Sequence, residues 1–507
     1  MRYFFTCILC LWASMLLAQN TFKIKTNIEN DSLVMGFDIA MKDLNNNLRK
    51  GKTRLTDRMS EAPLLEAGAD YDQPWTRDIS INTINGTAFW QPEAIKRTLW
   101  AVCEHSPEGD TLIGGQYWDN MIWALGADAY YRASQDEEFL SRAWPVITRT
   151  LKQKETLELD KEKGLFRGGA IYGDGISAYD ARYTDTGEYT GTEWNCTITK
   201  WVEHNPSLKS EGGGLPMMVL STNVMYYQVY QTLATLSKEK GLSNDQYQKK
   251  AKALKKAIQQ YFWNKEQQSF NYYIDPWGVN DRQEGLGISM LLLTDIPTPK
   301  QRQAIFDNIQ ITTFGLPCVY PSYDRYNKEG HYSRHAGTVW GHILGFWGSA
   351  TLHNAQEQLF IDNMKIMAHW FVRDGECREI YHPDTGLPYG GLQEDGFKKG
   401  WIREWESTHE QTWTATGYLR LFLFDIFGLT VKENGLYFKP NQCLDRSFVE
   451  LDGLRFADAE LNIRLQGKGQ KVKAVLLDDQ KVDFIPKNLK GKHQVRVVLE
   501  GDKGISG

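Results

Sequence analysis

Cysteine is scarce in this chain, and its few cysteines argue against two structural classes. The 507 residues contain seven cysteines, two of which lie within the first ten residues. The other five are widely spaced, at Cys103, Cys196, Cys318, Cys377 and Cys443. This spacing matches neither the disulfide framework of a small secreted domain nor a CxxC metal site. One or two bridges among them stay open, and nothing in the sequence demands a metal or another cofactor.

An excess of basic residues is also lacking. The formal net charge is -5, which gives no support to binding of nucleic acids or of anionic membranes. The chain has no P-loop, no dinucleotide-binding fingerprint, no HExxH motif and no serine–histidine–aspartate order. A hydrolase that uses an activated serine is therefore not supported.

The apolar run at the N-terminus is too short for a bilayer span with normal flanks. It begins after Arg2, continues through Leu17 and ends at Ala18. These features predict a secretory signal peptide over residues 1–18. We therefore expect a periplasmic or secreted soluble protein without membrane insertion, and we expect it to be a monomer.

Aromatic residues, in contrast, are plentiful. They make up 12% of the chain, with 17 tryptophans and 24 tyrosines. Many of these side chains will belong to the core. Because the apolar face of a sugar ring stacks well on an indole, tryptophans in a cleft are also typical of carbohydrate-binding sites.

Long amphipathic helices dominate the pattern from about residue 31 to residue 429. Met225, Val229, Leu233 and Leu236 share one helical face, and Ala251, Leu254, Ile258 and Phe262 share another. Nearly a dozen such helices follow one another as hairpins, without the βαβ alternation of a parallel sheet. The sequence predicts a mainly α protein in which aromatic, Gly-rich loops gather at one end and form a cleft.

The pattern changes to alternating strands near residue 430. Leu461, Ile463 and Leu465 alternate with polar residues, and residues 472–477 and 481–485 flank a turn at 478–480. We predict a catalytic domain over residues 19–430 and a small, structural C-terminal β-domain over residues 431–507.

The segment around Glu379 carries the strongest functional signal. Pro383 and Gly386 force the chain out of helix, so Glu379 lies where a helical run gives way to a loop. Trp401, Trp405 and Trp413 follow it. A carboxylate on such a loop among aromatics suits the general base of glycoside cleavage, although an ordinary exposed Glu before a turn would look similar in isolation.

Two segments before residue 120 look suited to sugar binding. In Trp75-Thr76-Arg77-Asp78, the carboxylate can accept and the guanidinium can donate hydrogen bonds to sugar hydroxyls. Alternatively, the pair is a charge pair at a helix start. Trp118 is expected to line the cleft, and the neighbouring Asp119 is a natural N-cap for the helix that follows.

The segment from Gly168 to Asp180 offers the second carboxylate. Glycines on both sides of Asp174 let the backbone approach a ligand, and Tyr172 and Tyr179 can wall a pocket. Aromatic surroundings would raise the pKa of Asp174, as a general acid requires. An Asp-Gly turn is the plainer interpretation, and Asp180 is the alternative acid.

Residues 337–342, Gly-Thr-Val-Trp-Gly-His, read as a helix start that carries Trp340 into the cleft. His342 is expected to be a hydrogen-bonding wall residue rather than a nucleophile.

These segments, in this order, resemble the six-hairpin (α/α)6-barrel glycosidases related to glucoamylases, trehalases and the processing α-glucosidase I group. Trp-Thr-Arg-Asp is similar to the substrate-gripping motif of glucoamylase-like enzymes. Asp174-Gly-Ile-Ser resembles the Asp-x-x-Ser segment that holds the general acid in trehalase-like members. Glu379 before Pro-x-Thr-Gly-x-Pro, with Trp413-Thr-Ala after it, is similar to their general-base loop. The resemblance covers roughly residues 31–430.

The resemblance implies an inverting glycoside hydrolase. Asp174 would protonate the leaving oxygen, and Glu379 would activate a water molecule on the opposite face. Arg77 and Asp78 would hold the terminal sugar, while Trp75, Trp118, Trp340 and Trp413 would shape the subsites. Asp119, Tyr179 and Glu410 complete the expected binding residues, and Glu410 is also the alternative base.

Two other functions share this fold. A disaccharide phosphorylase would replace the base with a phosphate site, and a non-catalytic carbohydrate-binding protein would dispense with the carboxylates. The presence of Glu379 favours the hydrolase, which we expect to act from a chain end on α-linked oligosaccharides.

Overall fold

The computed structural model describes residues 22–189, 191–326 and 330–501. The predicted signal peptide lies outside the described residues.

Helices account for most of the regular structure, as the sequence predicts. The described residues contain thirteen α-helices: α1 (Ser32–Asn46), α2 (Thr76–Ile84), α3 (Pro92–Ala101), α4 (Ile122–Ser134), α5 (Glu137–Leu157), α6 (Ile198–His204), α7 (Leu220–Glu239), α8 (Asp245–Phe262), α9 (Gly285–Leu292), α10 (Pro299–Asn308), α11 (Gly341–His353), α12 (Glu357–Asp374) and α13 (Thr412–Arg420). A π-helical turn, Leu421–Ile426, extends α13.

Six of these helices contact one another in cyclic order. Helix α2 packs on α4, α4 on α7, α7 on α9, α9 on α11, α11 on α13, and α13 returns to α2. Every residue of α9 is buried, as is every residue of α11 except His353. Such helices are apolar around most of their circumference because they have neighbours on all sides.

The helices outside this group are amphipathic instead. Helix α8 buries Ala251, Leu254, Ile258 and Phe262, which confirms the predicted face, and packs on α7. Helices α3 and α5 pack on α4, and α12 packs on α11 and α1. One apolar stripe is enough for a helix with solvent on its other side.

Short strands in the loops and longer strands near the C-terminus complete the fold. They are β1 (Lys23–Thr26), β2 (Leu48–Arg49), β3 (Leu64–Leu65), β4 (Cys103–His105), β5 (Thr111–Ile113), β6 (Leu159–Asp160), β7 (Leu165–Phe166), β8 (Met218–Val219), β9 (Trp263–Asn264), β10 (Ser269–Phe270), β11 (Tyr273–Asp275), β12 (Gly278–Asn280), β13 (Gln283–Glu284), β14 (Val319–Tyr320), β15 (Val339–Trp340), β16 (Ile380–Tyr381), β17 (Leu392–Glu394), β18 (Ile402–Glu404), β19 (Leu429–Lys432), β20 (Gly435–Phe438), β21 (Phe448–Phe456), β22 (Asp458–Gln466), β23 (Val472–Leu477), β24 (Gln480–Val482), β25 (Ile485–Pro486) and β26 (Lys490–Leu499).

The predicted C-terminal sheet is present and has six strands in the order β1-β21-β22-β26-β23-β24. The predicted hairpin is confirmed as β23 and β24, with Asp478 and Asp479 at φ 47° and 64° in its turn. Strand β1 pairs with β21, so both ends of the described chain contribute to one sheet. The domain boundaries themselves stay a prediction.

Three features of the described residues bear on the predictions from composition. All five cysteines are free thiols. No helix combines the length and the apolar character needed to cross a membrane. No group of three or more His, Cys, Asp and Glu side chains is placed to hold a metal ion.

Helices α11 and α13 approach each other closely at two glycines. A Cβ atom added to Gly345 would lie 2.5 Å from the Cα atom of Gly417. This is backbone rather than a flexible side chain, so the two helices would have to move apart.

We therefore expect Gly345→Ala to lower the free energy of unfolding by about 1–3 kcal/mol, measured by urea denaturation. Gly36→Ala in α1 is the matched control, because its Cβ would lie 3.1 Å from the Cα atom of Ala368 and its neighbours need to give only slightly. The gain in helix propensity should keep that variant within about 1 kcal/mol of the wild type. Equal stability of the two variants would contradict the close helix contact.

Candidate active site

A cavity of about 700 Å³ lies at the N-terminal ends of α2, α11 and α13. Trp75, Trp340 and Trp413, which stand at these helix starts, contribute to its wall. The described residues that line it are Asp70, Tyr71, Trp75, Arg77, Gln116, Tyr172, Asp174, Gly175, Trp194, Cys196, Thr197, Arg334, His335, Trp340, Glu379, Gln393, Trp405, Glu406, Thr408 and Trp413.

The cavity brings together six of the eleven site residues that the sequence predicts. Both predicted catalytic carboxylates, Asp174 and Glu379, are among them. The other four are Trp75, Arg77, Trp340 and Trp413. Asp78, Trp118, Asp119, Tyr179 and Glu410 do not line the cavity.

Arg77 connects the chain segments that surround Asp174. Its Nη1 atom donates to Gln116 Oε1 at 3.0 Å, to Asp119 Oδ2 at 3.0 Å and to the carbonyl oxygen of Ile171 at 3.1 Å. Its Nη2 atom lies 3.6 Å from Asp174 Oδ2. The guanidinium also lies over the ring of Trp413, 5.6 Å from its centroid.

Three expected cleft residues turn out to support the cavity from behind. Asp119 is buried and pairs with Arg77; it does not cap α4, whose N-cap is Met121. Trp118 is fully buried and donates its indole N–H to the carbonyl oxygen of Ala170. Tyr179 is also buried and donates its hydroxyl to the carbonyl oxygen of Gly173 at 2.6 Å. These contacts fix the loop that carries Asp174.

The two alternative catalytic residues lie elsewhere. Asp180 caps a short 3-10 turn and accepts hydrogen bonds from Arg182 and from the hydroxyl of Tyr273. Glu410 accepts a hydrogen bond from Asn46 Nδ2 at 2.9 Å. Neither carboxylate contributes to the cavity wall in the described part of the chain.

The expected direction of the pKa shift of Asp174 is wrong. Burial does raise the pKa of this carboxyl, but the Arg77 guanidinium, together with His335 and Arg334, outweighs that effect. The net result is a pKa well below its ordinary range. Aromatic walls alone would have raised the pKa, but the fold places cations from other segments beside them.

Glu379 is held by a separate set of donors. The residue is only 3% exposed. Oε2 accepts hydrogen bonds from Arg334 Nη2 at 2.8 Å and from Thr408 Oγ1 at 3.1 Å, and Oε1 accepts one from Gln411 Nε2 at 3.3 Å. These donors fix both carboxylate oxygens.

Part of the cavity wall was not predicted from the sequence. Arg334 and His335 are separated by one residue from the segment that runs from Gly337 to His342, and Gln393 lies on β17. Trp194 and Trp405 pack edge to face with ring centroids 5.0 Å apart at the cavity wall. Two of these features were visible in the sequence: the Arg-His pair close to Trp340, and Trp405 among the tryptophans after Glu379. Trp194 and Gln393 carry no local sequence signature.

His342 is not the hydrogen-bonding wall residue that the sequence suggests. It is fully buried behind the cavity and stacks on Trp413 at a centroid distance of 4.0 Å. Neither ring nitrogen has a hydrogen-bond partner among the described residues. Burial lowers the pKa of His342, which keeps the ring neutral.

Asp78 is buried beneath the same group of charges. Burial raises the pKa of Asp78 from 3.8 to about 7; Arg77 opposes this shift, whereas Glu379, Asp174 and Asp119 add to it. Between these two pH values the unfolded chain has lost the proton that the folded protein retains. The free energy of unfolding therefore falls as the pH rises through this window.

We expect Asp78→Asn to gain stability relative to the wild type as the pH rises from about 4 to about 7, by at most about 4 kcal/mol. The measurement is urea denaturation at a series of pH values. Asp324→Asn, at an exposed surface position, is the control and should show no such trend. A difference between Asp78→Asn and the wild type that does not change with pH would contradict the buried, protonated carboxyl.

Several solved structures have a similar fold. A GH63 mannosylglycerate hydrolase from Thermus thermophilus aligns over 76% of this chain and 99% of its own, with 13% identity and a TM-score of 0.56. A GH78 rhamnosidase of Bacillus sp. GL1 aligns over 94% of this chain, with 13% identity and a TM-score of 0.57. A protein described as "Sialidase" aligns over 92%, with 14% identity and a TM-score of 0.64.

The extent of these matches differs. This chain spans only 44% of the rhamnosidase and 41% of the sialidase, but almost all of the Thermus protein. No curated protein matches the chain.

The family model described as "Mannosylglycerate hydrolase MGH1-like glycoside hydrolase domain" matches residues 116–414, more than half of the chain, and this range includes Asp174 and Glu379. The resemblance to the (α/α)6 glycosidase group is thus confirmed, and the chain belongs to the MGH1-like glycoside hydrolase family.

Proposed function

We propose that the protein is an inverting glycoside hydrolase in which Asp174 is the general acid and Glu379 is the general base. One observation carries the proposal: these two carboxylates, from distant parts of the sequence, line one cavity with separate hydrogen-bonding and ionic partners. Most glycoside hydrolases use a pair of Asp or Glu side chains that flank the glycosidic bond to be cleaved.

In this mechanism, Asp174 gives a proton to the glycosidic oxygen as the bond to the anomeric carbon breaks. Glu379 takes a proton from a water molecule whose oxygen attacks the same carbon from the opposite face. The product therefore has the inverted anomeric configuration. The fixed carboxylate of Glu379 suits this role, since three donors hold its orientation.

The surroundings suggest how the sugar is held. Arg77 lies beside Asp174, and Trp75, Trp340 and Trp413 provide indole surface at the helix ends. We infer that they bind the terminal sugar, and that Trp194 and Trp405 contact the group on the other side of the bond. Asp78 contributes by its buried position next to Arg77 rather than as a lining residue.

We also infer an architecture and a location. The cyclic order of contacts among α2, α4, α7, α9, α11 and α13 supports an (α/α)6 toroid of six hairpins. The apolar N-terminal segment supports export to the periplasm or beyond. A toroid with its pocket at one end suits attack at a chain end, and we propose an exo-acting, monomeric enzyme.

The substrate class rests on the family. α-Linked oligosaccharides are our first choice, and the name of the family adds mannosylglycerate as a second compound to test. A disaccharide phosphorylase is the alternative, and it would need phosphate in place of water as the attacking group.

The test is hydrolysis of a panel of α-linked disaccharides, longer oligosaccharides and mannosylglycerate, with the product anomer followed by NMR. We expect inversion by the wild type and a loss of about 10²-fold or more in kcat for Asp174→Asn and for Glu379→Gln. Asp180→Asn and Glu410→Gln are matched controls, because both carboxylates lie outside the cavity, and should retain activity near that of the wild type.

Three results would overturn the proposal in different ways. Retention of configuration would exclude single displacement. Loss of activity in Asp180→Asn or Glu410→Gln, with Asp174→Asn or Glu379→Gln still active, would reassign a catalytic residue. Sugar release that requires phosphate would establish the phosphorylase.

A further inference from the structure

A β-hairpin with exposed aromatic side chains extends from the cavity wall. Its strands are β17 and β18, which pair with Gln393 opposite Arg403. Gln393 and Trp405 line the cavity, so the base of the hairpin belongs to the wall. Its tip carries Phe397 and Trp401, which are 44% and 64% exposed. Apolar side chains that are grouped at the rim of a cleft are typical of a binding surface.

Trp401 and Trp405 point to the same side of this hairpin. The pairing continues past β18 towards the tip, because the amide of Asp395 donates to the carbonyl oxygen of Trp401 at 2.7 Å. Side chains two and four residues apart on a strand share a face, so Trp401, Arg403 and Trp405 point to one side. The Arg403 guanidinium agrees with this, since it lies 4.0 Å from the ring centroid of Trp405. Four residues of strand span about 13 Å, which is more than the length of one sugar ring.

A second aromatic contact holds the hairpin tip beside the cavity. Trp194, at the cavity wall, packs edge to face on Phe397 with ring centroids 5.2 Å apart, as it does on Trp405. The carbonyl oxygen of Gly396 accepts a hydrogen bond from the amide of Asn195 at 2.9 Å. A Cβ atom at position 396 would lie 2.5 Å from Cε3 of Trp194, so a larger residue would push the indole away. The backbone of the tip therefore lies directly against a ring of the cavity wall.

Trp194, Trp405, Phe397 and Trp401 form an aromatic strip that leads from the cavity to the hairpin tip. Lys398 Nζ lies 4.7 Å from the ring centroid of Trp401, and this contact holds the indole while more than half of the residue stays exposed. Sugar rings have apolar faces that stack on such side chains. A glycan that leaves the cavity on this side would pass over the strip, which favours sugar units as its occupant.

We propose that the aromatic strip binds the first and later sugar units on the leaving-group side, so that the enzyme prefers α-linked oligosaccharides of three or more units to disaccharides. This inference rests on the proposed function, because that function places the bond to be cleaved at the two carboxylates of the cavity. Trp194 and Trp405 contact the first unit of the leaving group, and Phe397 and Trp401 stack on the units after it. The hairpin tip takes no part in bond cleavage, and it stabilises the bound substrate and the transition state equally.

The kinetic test compares a disaccharide with the tetrasaccharide of the same sugar and linkage in the wild type, Trp401→Ala and Trp401→Phe. We expect kcat/KM of the wild type to be higher for the tetrasaccharide by about 10-fold or more. Trp401→Ala should remove most of this gain through KM, with kcat within about 2-fold of the wild type, and should leave the disaccharide unaffected. Trp401→Phe keeps an aromatic face and should recover most of the gain.

Calorimetry separates binding to the strip from catalysis. The probes are the α-linked disaccharides and tetrasaccharides of glucose and of mannose, and the protein is Glu379→Gln. We expect at least one tetrasaccharide to bind about 10-fold more tightly than its disaccharide, and Trp401→Ala in the same background to abolish the difference.

Trp277→Ala is the matched control for both measurements. Trp277 is 45% exposed, and the Arg182 guanidinium lies 5.1 Å from its ring centroid, much as Lys398 lies beside Trp401. It is not among the described residues that line the cavity. Its removal should change neither the affinity for the tetrasaccharide nor the KM.

The outcomes distinguish the aromatic strip from the proposed function. Tetrasaccharides that bind no more tightly than disaccharides, or a Trp401→Ala variant that keeps the difference, would overturn the strip as a glycan-binding surface. Self-association of the wild type in sedimentation velocity that Trp401→Ala abolishes would assign the strip to a second copy of the chain, and would overturn it as well. Length-dependent binding without hydrolysis of any probe would support the strip and refute the proposed function instead.

Discussion

The Arg77 guanidinium is the interaction on which the site depends. It stands in the first turn of α2 and reaches Gln116, Asp119, the carbonyl oxygen of Ile171 and Asp174. Three segments that are distant in sequence thus meet at one buried cation. Without it, carboxylates would remain in the interior with no compensating charge, which costs far more than the loss of a surface ion pair. The cation therefore holds the loop that carries the acid and sets the charge state of that acid at the same time.

That dual role bears directly on the protonation of the proposed acid. A general acid must be protonated to act, yet Arg77, His335 and Arg334 all favour the ionised form of Asp174. Arg334 has a second role in the same place, because it also donates a hydrogen bond to Glu379. His335 lies on the other side of the carboxyl, with Nε2 3.5 Å from Asp174 Oδ1 and Nδ1 2.9 Å from Ser177 Oγ. The two carboxylates therefore have different partners: Glu379 accepts hydrogen bonds from Arg334, Thr408 and Gln411, and Asp174 lies between the Arg77 guanidinium and the His335 imidazole.

The sequence was sufficient for features that depend on neighbours along the chain. Helical periodicity predicted the faces of α7 and α8, strand alternation predicted the hairpin of β23 and β24, and turn residues brought attention to Glu379 and Asp174. It failed where the deciding contact is distant. The downward pKa shift of Asp174 comes from cations on other segments, and the burial of Trp118 depends on the loop packed over it. The contacts of His335 with Asp174 and Ser177 join residues more than 150 positions apart, so no local pattern predicts them.

The most direct test of the account is a crystal structure of Asp174→Asn with an uncleaved oligosaccharide in the cavity. We expect the glycosidic oxygen to lie within hydrogen-bond distance of the side chain at position 174, with Arg77 next to the terminal sugar. A water molecule held by Glu379 should lie on the opposite face of the anomeric carbon, with the two side-chain carboxyl positions about 6.5–9.5 Å apart. Glu379 in direct contact with the anomeric carbon and no room for water, or a sugar bound outside this cavity, would contradict it.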